Sequence, residues 1–355
     1  MSQTTRKKLG FTCAYTPLPI IAAAGFSPYR VLPYDCSSAI GASQFLHDNL
    51  CPHIKLVLER AISANVPDEL VGMVFINSCD AMRRLKDAWV LVRPQDKVIQ
   101  LDLPLNFNAS ALSFFASELR MLAEEIGNFS GKALCEDVLL ESIGEYDALA
   151  ENFSLLRTAL REGRLPGGAF TLQRLYNIAS EAPLAQAQAE IAALLANLPN
   201  TAKKTDSPRV FLMGNVLANI DAFAFFASCG VEVIAEDLCT GSRLFPRYRL
   251  AEEEGDIFTK IAHAILTQPA CARTFDNQNP CHFATRAIEM IKKSGAAAVI
   301  IQTMKFCDPY LARLPLLFES LHAENIPFLF LEGDCSLRSL GQYKTRLEAF
   351  VETIQ

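Results

Sequence analysis

The residues with the clearest chemical potential are eleven cysteines, at positions 13, 36, 51, 79, 135, 229, 239, 271, 281, 307 and 335. Thiolates are soft ligands that select iron–sulfur clusters or zinc, and the same groups act as nucleophiles and redox pairs. Disulfide frameworks belong mostly to short secreted chains, whereas this chain is long and its thiol count is odd. It has no closely spaced C-x-x-C pair, so zinc-ribbon and thioredoxin patterns are absent. The five histidines (47, 53, 263, 282 and 322) show no H-x-x-x-H or H-E-x-x-H spacing, which argues against a histidine-rich metal site. Gly214-Asn215 follows a strand but lacks both the G-x-G-x-x-G and the G-K-[ST] pattern, so ATP binding is not expected. A helix N-terminus there is still able to receive a phosphate.

Whether scattered thiols can meet depends on the elements that carry them. At roughly 150 residues per domain, 355 residues make about two domains. Half the residues are hydrophobic, enough for large cores. The 33 basic and 39 acidic side chains give a net charge of −6, which makes nucleic acid a poor partner. Arg6-Lys7-Lys8 and the apolar stretch up to Ala24 mimic an export signal, but Pro17 and Pro19 break it. No apolar run reaches 18 residues, so no membrane span is expected. The thiols then imply a reducing, cytoplasmic setting.

Alternating signals place helices at 19–25, 53–65 and 81–90 and strands at 29–32, 72–77 and 97–101, which is βαβ grammar. Residues 109–198 carry helical periodicity alone, in four segments (109–127, 136–163, 169–180 and 183–198), before a polar linker at 200–208. A second α/β unit follows, with strands at 209–213, 231–235, 297–302 and 327–332. Its helices fall at 219–229, 251–267, 283–294, 309–323 and from about 340. The expected class is therefore α/β, two Rossmann-like parallel-sheet units with a helical middle. Their bounds are 1–108, 109–205 and 206–355. No repeat of 20–50 residues is visible. Trp89 and the aromatic run at 223–226 read as core.

In open parallel sheets, ligands bind beyond the carboxyl ends of the strands. Cys79, Cys239, Cys307 and Cys335 each follow a predicted strand, and two sheets facing edge to edge would bring them to one crevice. Spacing leaves two readings open: buried small hydrophobes, or ligands of one centre. Cys135, Cys229 and Cys271 have no strand context and read as core.

Three motifs carry a resemblance: Leu50-Cys51-Pro52, Asn77-Ser78-Cys79-Asp80-Ala81-Met82-Arg83-Arg84-Leu85 and Lys305-Phe306-Cys307-Asp308-Pro309. With Asp237-Leu238-Cys239-Thr240-Gly241-Ser242-Arg243, Glu332-Gly333-Asp334 and the 341–350 segment, the chain resembles 2-hydroxyacyl-CoA dehydratase D-components and benzoyl-CoA reductase subunits. The resemblance runs from about residue 10 to the C-terminus and is weakest in the helical middle. It implies a 4Fe–4S cluster between the two α/β units, on cysteines that match Cys51, Cys79 and Cys307, with one iron left open. That iron would polarise a CoA thioester and pass it one electron, giving ketyl-radical chemistry of a lyase or an oxidoreductase. It also implies a related second subunit, an ATP-dependent iron–sulfur activator and an acyl-CoA substrate. Arg83, Arg84 and Arg346 are candidate contacts to CoA phosphates, with Arg338 and Lys344 nearby.

Two departures from the family pattern matter. The Pro-Glu-Glu segment often found near the family's N-terminus is here Pro17-Leu18-Pro19-Ile20-Ile21, without a carboxylate. This favours a non-substrate or accessory subunit, because a missing acid or base costs proton transfer about 10²–10⁴-fold. Cys13 and Cys36 also resemble ligands of the family's double-cubane branch, where six cysteines hold an 8Fe–9S cluster in a reductase of small molecules. On that alternative a homodimer is the expected assembly. Cys239 or Cys335 would then have to supply the sixth thiol.

Overall fold

In the computed structural model, which describes residues 6–33, 38–203, 205–248, 254–269, 271–333 and 340–354, two parallel sheets flank a helical middle. The first half runs β1 (Lys8–Phe11), α1 (Leu18–Ala23), β2 (Ser27–Arg30), α2 (Pro52–Ile62), β3 (Leu70–Ile76), α3 (Asp80–Val92) and β4 (Lys97–Leu101). The middle holds α4 (Ala109–Ser130), α5 (Glu136–Arg161), α6 (Gly168–Glu181) and α7 (Leu184–Ala196). The second half runs β5 (Arg209–Gly214), α8 (Ile220–Ser228), β6 (Glu232–Asp237), α9 (Ile257–Leu266), α10 (His282–Ser294), β7 (Ala298–Met304), α11 (Asp308–Ala323), β8 (Phe328–Gly333) and α12 (Leu340–Ile354).

Strand order is β2-β1-β3-β4 in one sheet and β6-β5-β7-β8 in the other, all parallel. This is the α/β architecture expected from the alternation. Each sheet reverses direction beside its first strand, so each has a switch point beyond the ends of β1 and β3, or of β5 and β7.

Strand β1, central in the first sheet, is absent from the elements that periodicity predicts. It has four residues, begins in a basic run, and contains Gly10, a weak strand former. Gly10 is there because a Cβ would collide with Met73 Sδ on β3. Helix α9 starts at Ile257, later than the predicted 251. Asp256 caps it by accepting from the Thr259 N–H at 2.9 Å, and Gly255 just before has φ +100°.

The core of the first sheet extends through the helical middle to the segment after β6 and to α9, while the strands of the second sheet pack in cores of their own. Leu9, Phe11, Val74 and Ile76 of the first sheet pack into α4–α6, which in turn bury Phe245, Tyr248 and α9. Phe153 stacks on Tyr176 at 4.3 Å and on Phe245 at 5.3 Å. The helical middle thus cements the two halves and fixes how their strand ends face each other. Trp89, Phe223 and Phe226 are buried, as expected. Among the described residues no helix is long and apolar enough to cross a membrane.

Candidate functional site

Cys51, Cys79 and Cys307 each occupy the N-cap position of a helix, α2, α3 and α11 respectively. A helix N-terminus presents unpaired N–H groups and positive potential, which favours a thiolate over a thiol. Phe306 turns the chain into the last of these caps with φ +56°, a left-handed conformation unusual for a bulky residue. All three thiols line one cavity of about 100 Å³, at the carboxyl ends of β1, β3, β5 and β7. Cys13, Cys239 and Cys271 line the same cavity, so it is walled by six thiols. These six are free thiols. A neighbouring cleft of about 530 Å³, bounded by Leu105, Phe275 and Phe306, shares Cys51, Cys79 and Cys307 with it.

Burial dominates the electrostatics. It pushes the Cys51 and Cys79 thiols up to about 12, and the nearby Cys307 sulfur adds to both shifts, while first-turn backbone N–H groups pull the other way. Burial also raises Cys307 and Cys13. Cys239 and Cys271 share a hydrogen bond. It lowers Cys271 and raises Cys239, and Arg243 and Arg273 further favour the Cys271 thiolate.

The cavity also contains cations. Arg30, at the end of β2, is 1% exposed and donates to the carbonyls of Cys239 (2.6 Å) and Thr12 (3.2 Å), while its Nε has no partner. His53 is similarly buried, and neither ring nitrogen has a partner. Burial, with Arg30 alongside, drops its pKa to about 3, so the ring is neutral. Buried polar atoms without partners are rare, and they mark a position where something else accepts or donates.

The Asp237–Arg243 segment builds one wall. Arg243 holds Asp237 through Nε–Oδ1 (2.6 Å) and Nη2–Oδ2 (2.5 Å) and donates to the Tyr310 hydroxyl at 2.9 Å. Tyr310 in turn donates to the Gly214 carbonyl. Arg243 Nη1 lies 3.5 Å from Cys239 Sγ. Glu236 accepts from the N–H groups of Leu238 (2.9 Å) and Ser242 (2.8 Å), and a Cβ on Gly241 would strike its carboxylate. The motif is therefore a clasp that fixes Cys239.

Cys271 reads as core in the sequence; it does pack against the core, and the structure adds that it lines the thiol cavity. It belongs to an irregular strap between α9 and α10. Arg273 of the strap donates to the carbonyls of Ser78 (3.0 Å), Pro104 (2.6 Å) and Leu103 (3.1 Å) of the first half. From the other side, Arg313 on α11 donates to the carbonyls of Ala272 and Thr274. Sequence gives no sign of this closure, since neither a strand nor a spaced motif precedes Cys271. Cys229 is buried as expected, but Cys135 is an exposed N-cap of α5.

Cys36, Cys335 and Arg338 lie outside the described residues. Arg83 is exposed on α3, Arg84 pairs with Asp80 at 3.4 Å on the same helix, and Arg346 donates to the Phe330 carbonyl. None of the three lines the thiol cavity or the cleft beside it. Among the described residues no three His, Cys, Asp or Glu side chains are set to hold a single metal ion.

Comparison with known proteins bears on the resemblance that the cysteine motifs carry. The profile of the 2-hydroxyglutaryl-CoA dehydratase D-component family matches residues 13–354. The (R)-phenyllactyl-CoA dehydratase beta subunit of Clostridium sporogenes is 24% identical, the match covering 100% of this chain and 93% of that one. A benzoyl-CoA reductase subunit of Thauera aromatica is 23% identical over 92% of this chain and 85% of its own. The (R)-2-hydroxyglutaryl-CoA dehydratase beta subunit of Acidaminococcus fermentans is 22% identical over 98% and 93%. With nearly its whole length matched, the chain belongs to the 2-hydroxyglutaryl-CoA dehydratase D-component family.

Proposed function

We propose that this chain is the iron–sulfur subunit of a CoA-thioester dehydratase or reductase, with Cys51, Cys79 and Cys307 as the ligands of a 4Fe–4S cluster. The observation that carries the reading is the company these thiols keep. They share a cavity with a buried guanidinium, whose unpaired Nε–H calls for an anionic hydrogen-bond acceptor, and with a neutral buried imidazole that has one more unpaired N–H to give. Thiolates on a cubane stand roughly 6–7 Å apart, so they surround a volume and need not converge on a point as for a single ion. The donor set is soft and fits such a group.

When bound, a cluster of this kind supplies low-potential one-electron transfer to a thioester. The chain's own groups do the rest. Arg30 offsets negative charge in the cavity, and the helix N-termini favour the thiolate forms of Cys51, Cys79 and Cys307. Leu105, Phe275 and Phe306 give the adjoining cleft an exposed apolar rim. Asp80 and Asp308, the first residues of α3 and α11, line that cleft and bring carboxylates to a site whose N-terminal segment has none. Relatives named as beta subunits support a second, related subunit as partner. An ATP-dependent iron–sulfur activator in the cytoplasm is the matching electron source.

A second reading has its own observation. Cys13, Cys239 and Cys271 supply three more thiols in the same cavity, without recourse to Cys36 or Cys335, and six thiols suit a double-cubane 8Fe–9S cluster in a reductase. Iron and acid-labile sulfide per chain, measured after anaerobic purification, test both. About four irons support the first reading and about eight the second. None at all, even after anaerobic reconstitution, rejects both and leaves an accessory role.

A further inference from the structure

A separate cavity of about 580 Å³ lies where α5, α9 and α10 meet the outer strand β6. Its charge is one-sided. Arg157 and Arg161 stand one turn apart on α5, and Lys293, in the last turn of α10, joins them in the lining. Like charges at this spacing on a helix repel. Among the described residues none of these three forms an ion pair within 4 Å, although the Glu236 carboxylate favours the charge on Arg157. Arg157 donates to the Tyr176 hydroxyl at 3.0 Å and Arg161 to Thr158 Oγ1 at 3.4 Å. The carboxylate in the lining, Glu236, is taken up by the N–H groups of its own loop.

The second observation is Gln268. It lines the same cavity, and both its amide oxygen and its amide nitrogen are buried without a hydrogen-bond partner. A primary amide offers a donor and an acceptor side by side, the pattern that pairs with a purine edge or another amide. Arg161 and Lys293, cations without a counter-ion, and an unanswered amide in one cavity call for an occupant with both features. The volume falls within the range of small-molecule sites.

We propose that this cavity binds a phosphorylated nucleotide, with phosphoryl oxygens on Arg157, Arg161 and Lys293 and the base or an amide on Gln268. Two sources share this chemistry: the nucleotide end of coenzyme A, which rests on the CoA-thioester reading above, and a free nucleoside diphosphate, which does not. Glu236 lines this cavity and Cys239, three residues on, lines the thiol cavity, so an occupant would sit behind the clasp that fixes that thiol.

Titration calorimetry on the full-length protein with adenosine 3′,5′-bisphosphate, ADP and inorganic pyrophosphate tests the proposal. Saturable binding of one nucleotide per chain is expected, weakened at least tenfold in Lys293→Ala, Arg161→Gln and Gln268→Leu. Lys293 is exposed, so its variant retains the fold. Lys292→Ala, which removes a neighbouring cation paired with Glu324, leaves binding unchanged. Tighter binding of the bisphosphate assigns coenzyme A, and tighter binding of ADP assigns a free nucleotide. Pyrophosphate binding as tightly as either overturns the nucleotide, and nucleotide binding untouched by Lys293→Ala and Arg161→Gln, or absent, overturns the site. Iron is assayed in parallel. Nucleotide binding by a chain that takes up no iron would reject the cluster reading and leave this one standing.

Discussion

The Arg30 guanidinium donates to the backbone carbonyl of Cys239 at 2.6 Å, tying the end of β2 to the loop after β6. It also holds the Thr12 carbonyl, so one side chain closes three segments around the cavity. Arg30→Met leaves both carbonyls buried and unpaired, and each orphan costs about 1–3 kcal/mol. Urea unfolding of the iron-free protein should show a loss of about 2–4 kcal/mol. Arg30→Lys should recover part of it, since a single ammonium cannot span both acceptors. A loss under about 0.5 kcal/mol would mean that Arg30 is not a clasp.

Single Ser substitutions at Cys51, Cys79 and Cys307 should each remove most of the bound iron, because a hard alkoxide poorly replaces a soft thiolate. Cys229→Ser, in the core behind α8, should leave iron content unchanged. The Cys13→Ala/Cys239→Ala/Cys271→Ala variant separates the two cofactor readings. It keeps about four irons if those thiols are bystanders and falls from about eight to about four if they are ligands. Full iron retention in Cys79→Ser would remove that residue from the ligand set.

Arg273 gives three hydrogen bonds to carbonyls of the opposite half. Arg273→Ala should therefore destabilise the protein by about 2–4 kcal/mol. Proteolysis under native conditions should then cut between α9 and α10, where the wild type resists. Lysine should not rescue, because the three acceptors need the guanidinium fork. Equal cleavage of wild type and variant would sink the role of the strap.

Glu236 gives stability a pH dependence. Burial raises its carboxyl to about 7, against 4.5 for an exposed carboxyl. Between those values the folded state holds a proton that the unfolded state has lost, so stability falls as pH rises through this window and levels off above it. The contribution is up to roughly 3 kcal/mol. Glu236→Gln has no proton to lose. Its stability relative to wild type should therefore rise from pH 5 to pH 8, and a flat difference in calorimetric melts would contradict the buried proton.

Much of this was legible in the sequence, for physical reasons. Helical and strand periodicities exposed the two α/β units, and the rule that parallel sheets bind at strand ends drew attention to Cys79, Cys239 and Cys307. What escaped was whatever depends on closure. β1 is short, has a glycine at its centre and begins in a basic run, so its strand signal is faint. Arg30 ends a strand whose partners are invisible in one dimension, and an arginine there reads as surface. His53 lacks a spaced histidine partner, so nothing in the sequence sets it apart. Cys271 sits in an irregular strap that reaches the cavity only because Arg273 and Arg313 grip the backbone on either side.

The distance along the chain between the site's walls also sets an order of events during synthesis. Cys79 and Cys307 are separated by 228 residues. At cellular rates, the ribosome needs roughly 10–45 s to make that stretch. Through that interval the N-terminal thiols face the medium without their opposite wall. Any group that needs both walls is loaded only after translation has passed residue 307, so loading competes with oxidation of the waiting thiols.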